Sequence, residues 1–165
     1  MQGYVSFIDK INKAVKYIVS AMFIVLAVLV VLQVITRFVI DYPLSWSEEI
    51  SRYLMIYIVF FGAALAMRNK EHIAIDFLVE IVSAKRKKVL NSVILWISLI
   101  FAAILFYYGS ALTLTVVNQA TPTLQFSMSW AYAAIPLGSL LLLLNTIAVM
   151  IEDKQGKTIE GGGAQ

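Results

Sequence analysis

Cysteine is absent from the 165 residues, so a disulfide framework, a thiolate metal site, an iron–sulfur cluster and a thiol relay are all excluded. Histidine occurs once, at His72. A single imidazole completes neither a bis-histidine haem site nor a zinc site by itself. Charge is also scarce: Asp, Glu, Lys and Arg make up 14% of the chain and 61% is hydrophobic, against about a quarter charged in soluble domains. A water-soluble fold is excluded on that balance. There is no glycine-rich phosphate loop, nucleophile elbow or carboxylate pair in acid/base surroundings, so the chain reads as non-enzymatic. The net charge of +3 does not point to nucleic acid, because the basic residues cluster beside apolar runs, where they set topology.

Long uncharged runs dominate instead. Tyr17 to Thr36 ends at Arg37, and twenty residues rising about 1.5 Å each cross a hydrocarbon core of about 30 Å. Lys10, Lys13 and Lys16 precede this run like a signal-peptide n-region, yet the run is too long and lacks a small-residue cleavage site, as in an uncleaved anchor. Tyr53 to Met67 reaches full length when extended back to Trp46, which places Glu48, Glu49 and Arg52 in the first turns. Val89 to Val117 exceeds a perpendicular span and must tilt or project. Trp130 to Ile151 contains Pro136 and Gly138, which imply a kink. The expected fold is an all-α membrane protein, one domain over 1–152 with four transmembrane helices at about 17–39, 46–67, 89–112 and 130–151.

Lys and Arg set the orientation. They lie before the first span and between the second and third, at Arg68, Lys70, Lys85, Arg86, Lys87 and Lys88. The first loop is acidic on balance and Asn118 to Ser129 is uncharged. Both termini are therefore expected inside. Trp46, Tyr107, Tyr108, Trp130 and Tyr132 supply the outer aromatic belt. Two segments too short to cross are amphipathic: Tyr4, Phe7, Ile8, Ile11 and Val15, and Ile73, Phe77, Leu78, Ile81 and Val82, share helical faces. They predict cytoplasmic interfacial helices at about 4–16 and 73–84. Residues 153–165 read as a flexible cytoplasmic tail.

The densest polar group runs from Pro43 to Arg52. It is readable as a helix start, with Ser45 capping, Glu48 in a capping box and Glu48 paired to Arg52 on one face. The favoured reading is a buried interhelical or inter-subunit contact, for which Arg37 is a further candidate, since ionisable residues on membrane helices face protein or water. A coupling carboxylate at Glu48 or Glu49, as in a free-standing four-helix proton-coupled carrier, belongs nearer mid-membrane and comes with a repeat not visible here. His72, beside Glu71, reads as an anchor for the end of the second span, with metal or proton-relay roles as the alternative. Gly62, Ala63 and Ala66 give that span a face for close helix approach, and Gln33 and Asn145 read as interhelical hydrogen bonds of about 1 kcal/mol each.

Three segments together carry a resemblance: Ser45-Trp46-Ser47-Glu48-Glu49-Ile50-Ser51-Arg52-Tyr53, Phe61-Gly62-Ala63-Ala64, and Arg68-Asn69-Lys70-Glu71-His72-Ile73-Ala74-Ile75-Asp76. With Arg37, Trp130-Ala131-Tyr132 and Pro136-Leu137-Gly138, the pattern resembles the small membrane (DctQ-type) subunits of tripartite ATP-independent periplasmic (TRAP) transporters over nearly the whole chain. The resemblance implies a bacterial inner-membrane location. It also implies a large DctM-type membrane subunit that carries the elevator domain and the sodium sites, and a soluble periplasmic substrate-binding protein. Uptake of organic acids such as C4-dicarboxylates or sialic acids would be sodium-driven, with this chain holding the scaffold and binding neither substrate nor cofactor. The glycine-rich tail implies a separate large-subunit polypeptide.

On that reading Arg37, Trp46, Glu48, Glu49, Arg52, Gly62 and Ala66 are expected to meet the large subunit. Lys10, Lys13, Lys16, His72, Lys85, Arg86, Lys87 and Lys88 are expected at the cytoplasmic interface with phospholipid. Asp41, Ser47, Thr121 and Gln125 are expected to dock the binding protein. The rivals are the free-standing carrier and a membrane assembly factor outside transport.

Overall fold

A computed structural model describes the backbone of residues 2–69 and 84–154, and the side chains of 3–69 and 89–153. The interfacial helix expected at about 73–84, apart from its last residue, lies outside the described residues. So do His72, the tail from 155, and the side chains of Lys85, Arg86, Lys87 and Lys88. The elements are α1 (Gln2–Phe38), α2 (Ser45–Asn69), α3 (Ala84–Thr115), the single turn α4 (Ser129–Tyr132) and α5 (Ala134–Lys154). Four helical segments are long and apolar enough to cross a membrane, with α4 and α5 together forming the last.

The helix α1 corrects one expectation. Residues 4–16 do not form a separate interfacial helix but are the first third of a continuous 37-residue helix, about 55 Å long at 1.5 Å per residue. No glycine or proline interrupts the chain between Tyr4 and Phe38, so nothing breaks the hydrogen-bond ladder. Part of the face read as lipid-seeking packs on protein instead: Ile8 is buried, with Asn12 beside it, while Phe7 stays exposed, and the Tyr4 hydroxyl donates to the Leu144 carbonyl at 3.1 Å. The helix stops where Asp41 takes a φ of 54° and Tyr42 N–H turns back to the Thr36 carbonyl at 3.0 Å. Pro43 then bars a return to helical geometry at Tyr42.

A second correction concerns the start of α2. Ser45 is already helical, and it is the Leu44 carbonyl that accepts the first bonds, from Ser47 N–H, Glu48 N–H and the Ser47 hydroxyl. Ser45 makes no capping bond, so the capping box does not form. The break between α4 and α5 falls at Ala133, one turn before Pro136. Proline has no N–H for the Tyr132 carbonyl four residues back, and its ring crowds that carbonyl. The span is interrupted there, although Ala133 itself keeps helical angles of φ −58° and ψ −22°.

The main contacts follow the order α1, α2, α5, α3, but the row is folded: α1 also reaches α5, and Met67 of α2 joins Leu95 of α3 and Val149 of α5 in one core. Contacts fix the directions. Asp9 meets Arg68 and Gln33 meets Ser51, so α1 and α2 are antiparallel. Phe60 abuts Gly138 and Ala64 bonds Asn145, so α2 and α5 run parallel. Gly109 abuts Ile135, and Leu95 shares a core with Val149 and Met67, so α3 and α5 are antiparallel. Of the most apolar 18 residues in each span, 44% are buried in the α4–α5 span and none in α1.

Close approach does not occur at the small face expected on α2. A Cβ at Gly62 would meet nothing within 4 Å, whereas one at Gly138 would lie 2.5 Å from Phe60 Cβ and one at Gly109 would lie 2.6 Å from Ile135 Cγ2. Gly138→Leu is expected to destabilise the fold by about 1–3 kcal/mol through overpacking, and Gly62→Leu to leave it unchanged. Thermal unfolding in detergent, followed by circular dichroism, checks this: equal melting of the two variants contradicts the α2/α5 packing described here.

Candidate functional site

Polar side chains collect at three levels of the row. At the end bearing the α1–α2 and α3–α4 loops, residues 119–128 form a tight hairpin. Ala120 bridges Ser127, Thr121 N–H donates to Phe126 O at 2.7 Å, Met128 N–H donates to Gln119 O at 2.8 Å, and Gln125 turns the chain with a φ of 57°. Pro122 suits the turn because its φ is preset. The tip leaves the N–H groups of Thr123 and Leu124 pointing at α2, where Glu49 Oε2 accepts them at 2.7 and 3.3 Å. The other oxygen of Glu49 accepts the Tyr53 hydroxyl at 2.9 Å, and the Tyr53 ring stands edge-on to Phe126 at 5.9 Å. The buried carboxylate therefore pins the hairpin to α2 through charge-assisted bonds.

The rest of the polar group divides. Glu48 and Arg37 approach to 3.8 Å, both largely exposed, a pair of small energetic weight. Glu48 does not pair with Arg52, which is exposed and makes no hydrogen bond or ion pair among the described residues. Trp46 is also exposed. Ser47 and Thr121 are fully buried; their expected place in a docking surface for a soluble protein is thereby corrected. Asp41 and Gln125 are exposed, each with positive φ. Between α2 and the hairpin lies a cleft of about 250 Å³ lined by Ser45, Glu48, Arg52, Ile56, Met128 and Tyr132 among others.

Deeper in the row, Gln33 Nε2 donates to Ser51 Oγ at 2.7 Å, joining α1 to α2 as expected. Asn145 on α5 is fully buried. It exchanges amide hydrogen bonds with Asn12 at 2.6 and 2.8 Å and donates to the Ala64 carbonyl at 2.6 Å. Asn12 was not singled out by sequence, since it sits among the lysines of an amphipathic segment.

At the opposite end, Arg68 forms a two-pronged bond to Glu152 with both distances 2.7 Å, and its Nε donates to Asp9 at 2.8 Å. Sequence reading used Arg68 only as a topology signal; its position one residue past the apolar run, with Asp9 the lone acid ahead of the first span and Glu152 the first acid after the last, was the available clue. Lys10, Lys13 and Lys16 are exposed. Among the described residues no cluster of three or more His, Asp or Glu side chains is placed to hold a metal.

These contacts define a polytopic helical membrane protein whose buried polar groups bind its own helices to one another. The family model "Tripartite ATP-independent periplasmic transporters, DctQ component" matches residues 10–156. The chain belongs to that family, the small permease subunits of TRAP transporters, and is a multi-pass inner-membrane protein. It is similar to the sialic acid TRAP transporter permease protein SiaT of Haemophilus influenzae, 28% identical over 90% of this chain, although it spans only 24% of that protein. It is 28% identical to the C4-dicarboxylate small permease protein DctQ of Rhodobacter capsulatus, over 64% of this chain and 48% of the relative. The ectoine small permease protein TeaB of Halomonas elongata is 25% identical over 96% of this chain and 84% of its own length.

Glu49→Ala is expected to leave the Tyr53 hydroxyl and two tip amides unpaired, costing at least about 2 kcal/mol locally. Hydrogen exchange at Thr123 and Leu124 should then accelerate about 30-fold, with Glu48→Ala showing no such change. At the other end, Arg68→Met should destabilise by about 3 kcal/mol, because the largely covered Glu152 loses its two charge-assisted bonds, while adding Glu152→Met should recover most of the loss. Chemical unfolding of the wild type and these two variants decides this, and a double variant no better than the single one contradicts the ion-pair account.

Proposed function

We propose that this chain is the static helper of a two-part permease, laying one side of its helix row against the scaffold of a large membrane subunit. The single observation that carries the reading is the bare apolar surface of α1, of whose 18 most apolar residues none is buried. Its Phe23, Ile24, Val28 and Val31 lie open, as do Ile97, Ile100, Phe101 and Ile104 of α3. The polar groups support the same reading: they are consumed in ties between helices, and neither Glu48 nor Glu49 lies in the apolar middle, where a coupling carboxylate of a free-standing carrier belongs.

On this reading the large subunit carries the substrate path and the sodium sites, and a periplasmic binding protein delivers an organic solute. Relatives at similar identity are named for sialic acid, C4-dicarboxylates and ectoine, so selectivity resides on the other components. The hairpin end faces the periplasm with both termini inside, as the distribution of Lys and Arg favours. Arg37, Trp46, Gly62 and Ala66 remain open for the large subunit, whereas Glu49 is occupied within the chain. Asp41 and Gln125 remain as docking residues for the binding protein, and Lys10, Lys13 and Lys16 meet anionic lipid.

Copurification from the native membrane tests the partner. One large polytopic protein is expected at about equal amount, lost from Gly62→Trp and Ala66→Trp variants that still fold. The chain reconstituted alone is expected to give no uptake; flux that disappears with Glu48→Gln or Glu49→Gln would restore the carrier reading. Topology is directly measurable because the chain is free of cysteine. Gln125→Cys should react with an impermeant maleimide from outside intact cells, and Gly3→Cys should not.

A further inference from the structure

Arg52 is the unusual charge in this fold. Its guanidinium offers five donors, yet it makes no hydrogen bond or ion pair among the described residues. The two acids nearest in sequence are engaged elsewhere: Glu48 is drawn to Arg37, and Glu49 is filled by the hairpin amides and Tyr53. Arg52 nonetheless lines the cleft between α2 and the hairpin. The lining is graded. Ser45, Glu48, Glu49 and Arg52 supply its polar lining, while Ile56, one helical turn farther along α2, makes an apolar floor with Met128 and Ala131.

Depth identifies the occupant. Arg52 lies in the second turn of a membrane span, among Trp46, Tyr53, Trp130 and Tyr132, residue types that collect at the level of lipid headgroups. At about 250 Å³ the cleft has room for a small polar group and none for a folded segment of another protein. We propose that it holds the phosphodiester headgroup of one phospholipid from the leaflet at the hairpin end, with Arg52 as the phosphate ligand and the acyl chains leaving past Ile56. A guanidinium suits that role because its fork matches two phosphate oxygens. A free anion has no use for the apolar floor. The charges around the cleft, Arg37 and Arg52 against Glu48 and Glu49, sum to zero, so a zwitterionic lipid is accommodated and a polyanion is not preferred. The proposal rests on membrane insertion and is independent of which partner the row meets.

Native mass spectrometry of the full chain in mild detergent, titrated with dioleoylphosphatidylethanolamine, provides the test. One lipid per chain is expected to survive detergent removal. Its apparent affinity should fall at least tenfold in Arg52→Gln, partly in Arg52→Lys, and not at all in Lys13→Gln. Ala131→Trp, which fills the floor and leaves Arg52 in place, should also expel the lipid, and this separates loss of the site from misfolding at Arg52. Millimolar inorganic phosphate should not compete. Unchanged binding in both Arg52→Gln and Ala131→Trp overturns the proposal, as does full displacement by phosphate alone. It is likewise overturned if Arg52→Gln releases a copurifying protein while lipid content stays constant, since Arg52 then meets a protein carboxylate.

Discussion

The amide of Asn145 is the constraint around which the row is arranged. In hydrocarbon a polar side chain must find its partners within protein, and this one lies on the central helix, far from either end of its span. It finds them on two different helices, the Asn12 side chain of α1 and the Ala64 carbonyl of α2. Reaching a backbone carbonyl of α2 requires α2 and α5 to approach closely. That approach exists because Gly138 has no side chain to hold Phe60 away. Reaching Asn12 requires α1 to keep its helix unbroken well past the length of a membrane span, so that its first turns meet α5 while its remainder follows α2. Each interhelical bond of this kind is worth only about 1 kcal/mol. What it contributes is specificity of register among helices whose apolar surfaces would otherwise pack in many ways.

The two ends of the row then differ in kind. At one, a side-chain cation, Arg68, gathers two acids from the beginning and the end of the chain, closing α1, α2 and α5 together with charge against charge. At the other, a side-chain anion, Glu49, gathers backbone amides from a loop, and the apolar contact of Tyr53 with Phe126 covers it. The first arrangement fixes helices. The second fixes the shape of a connection, whose tip residues Pro122 to Gln125 stay exposed. A loop held this way is a surface of defined form, which is what a soluble partner arriving from outside the membrane needs.

Much of this was legible in the sequence, and the reason is local. Four spans follow from uncharged run length, the interruption of the last one from Pro136, and the interhelical roles of Gln33 and Asn145 from the cost of an amide in lipid. The polar group ahead of Tyr53 was visible as a cluster. Its partners were not, because Glu49 bonds to backbone N–H groups some 75 residues away, and backbone donors leave no signature in residue identity. The same holds for the glycine that matters: Gly62 sits in an evident small-residue face, yet Gly138, beside a proline that masks its purpose, makes the close contact. Asn12 and Asp9 were hidden for another reason. They lie in a segment whose lysines and apolar face fit an interfacial helix equally well, and only the helix length, set by the absence of any breaker, decides between the two.

A row of four helices is an uneconomical shape for a protein that must be stable alone, because a square bundle of the same helices buries more surface between them. In lipid this penalty is reduced, since an exposed leucine is solvated as well by acyl chains as by another helix. The arrangement therefore becomes permissible in a membrane, though not favoured by apolar packing alone. Its selection here rests on the polar ties, which join α1, α2 and α5 and leave α3 to apolar contact. Glu49, Gln33 and Arg68 join α2 to its surroundings, Asn145 joins α5 to both α1 and α2, and no described hydrogen bond or ion pair draws α3 toward α1. The chain thus specifies a broad slab in which the amides and ions that lie between helices are satisfied by one another, while Arg52 stays open. Such a slab adds breadth to whatever it packs against without placing a polar group in the path of a moving or permeating species, which suits the small subunit of a permease and is unsuited to a carrier acting by itself.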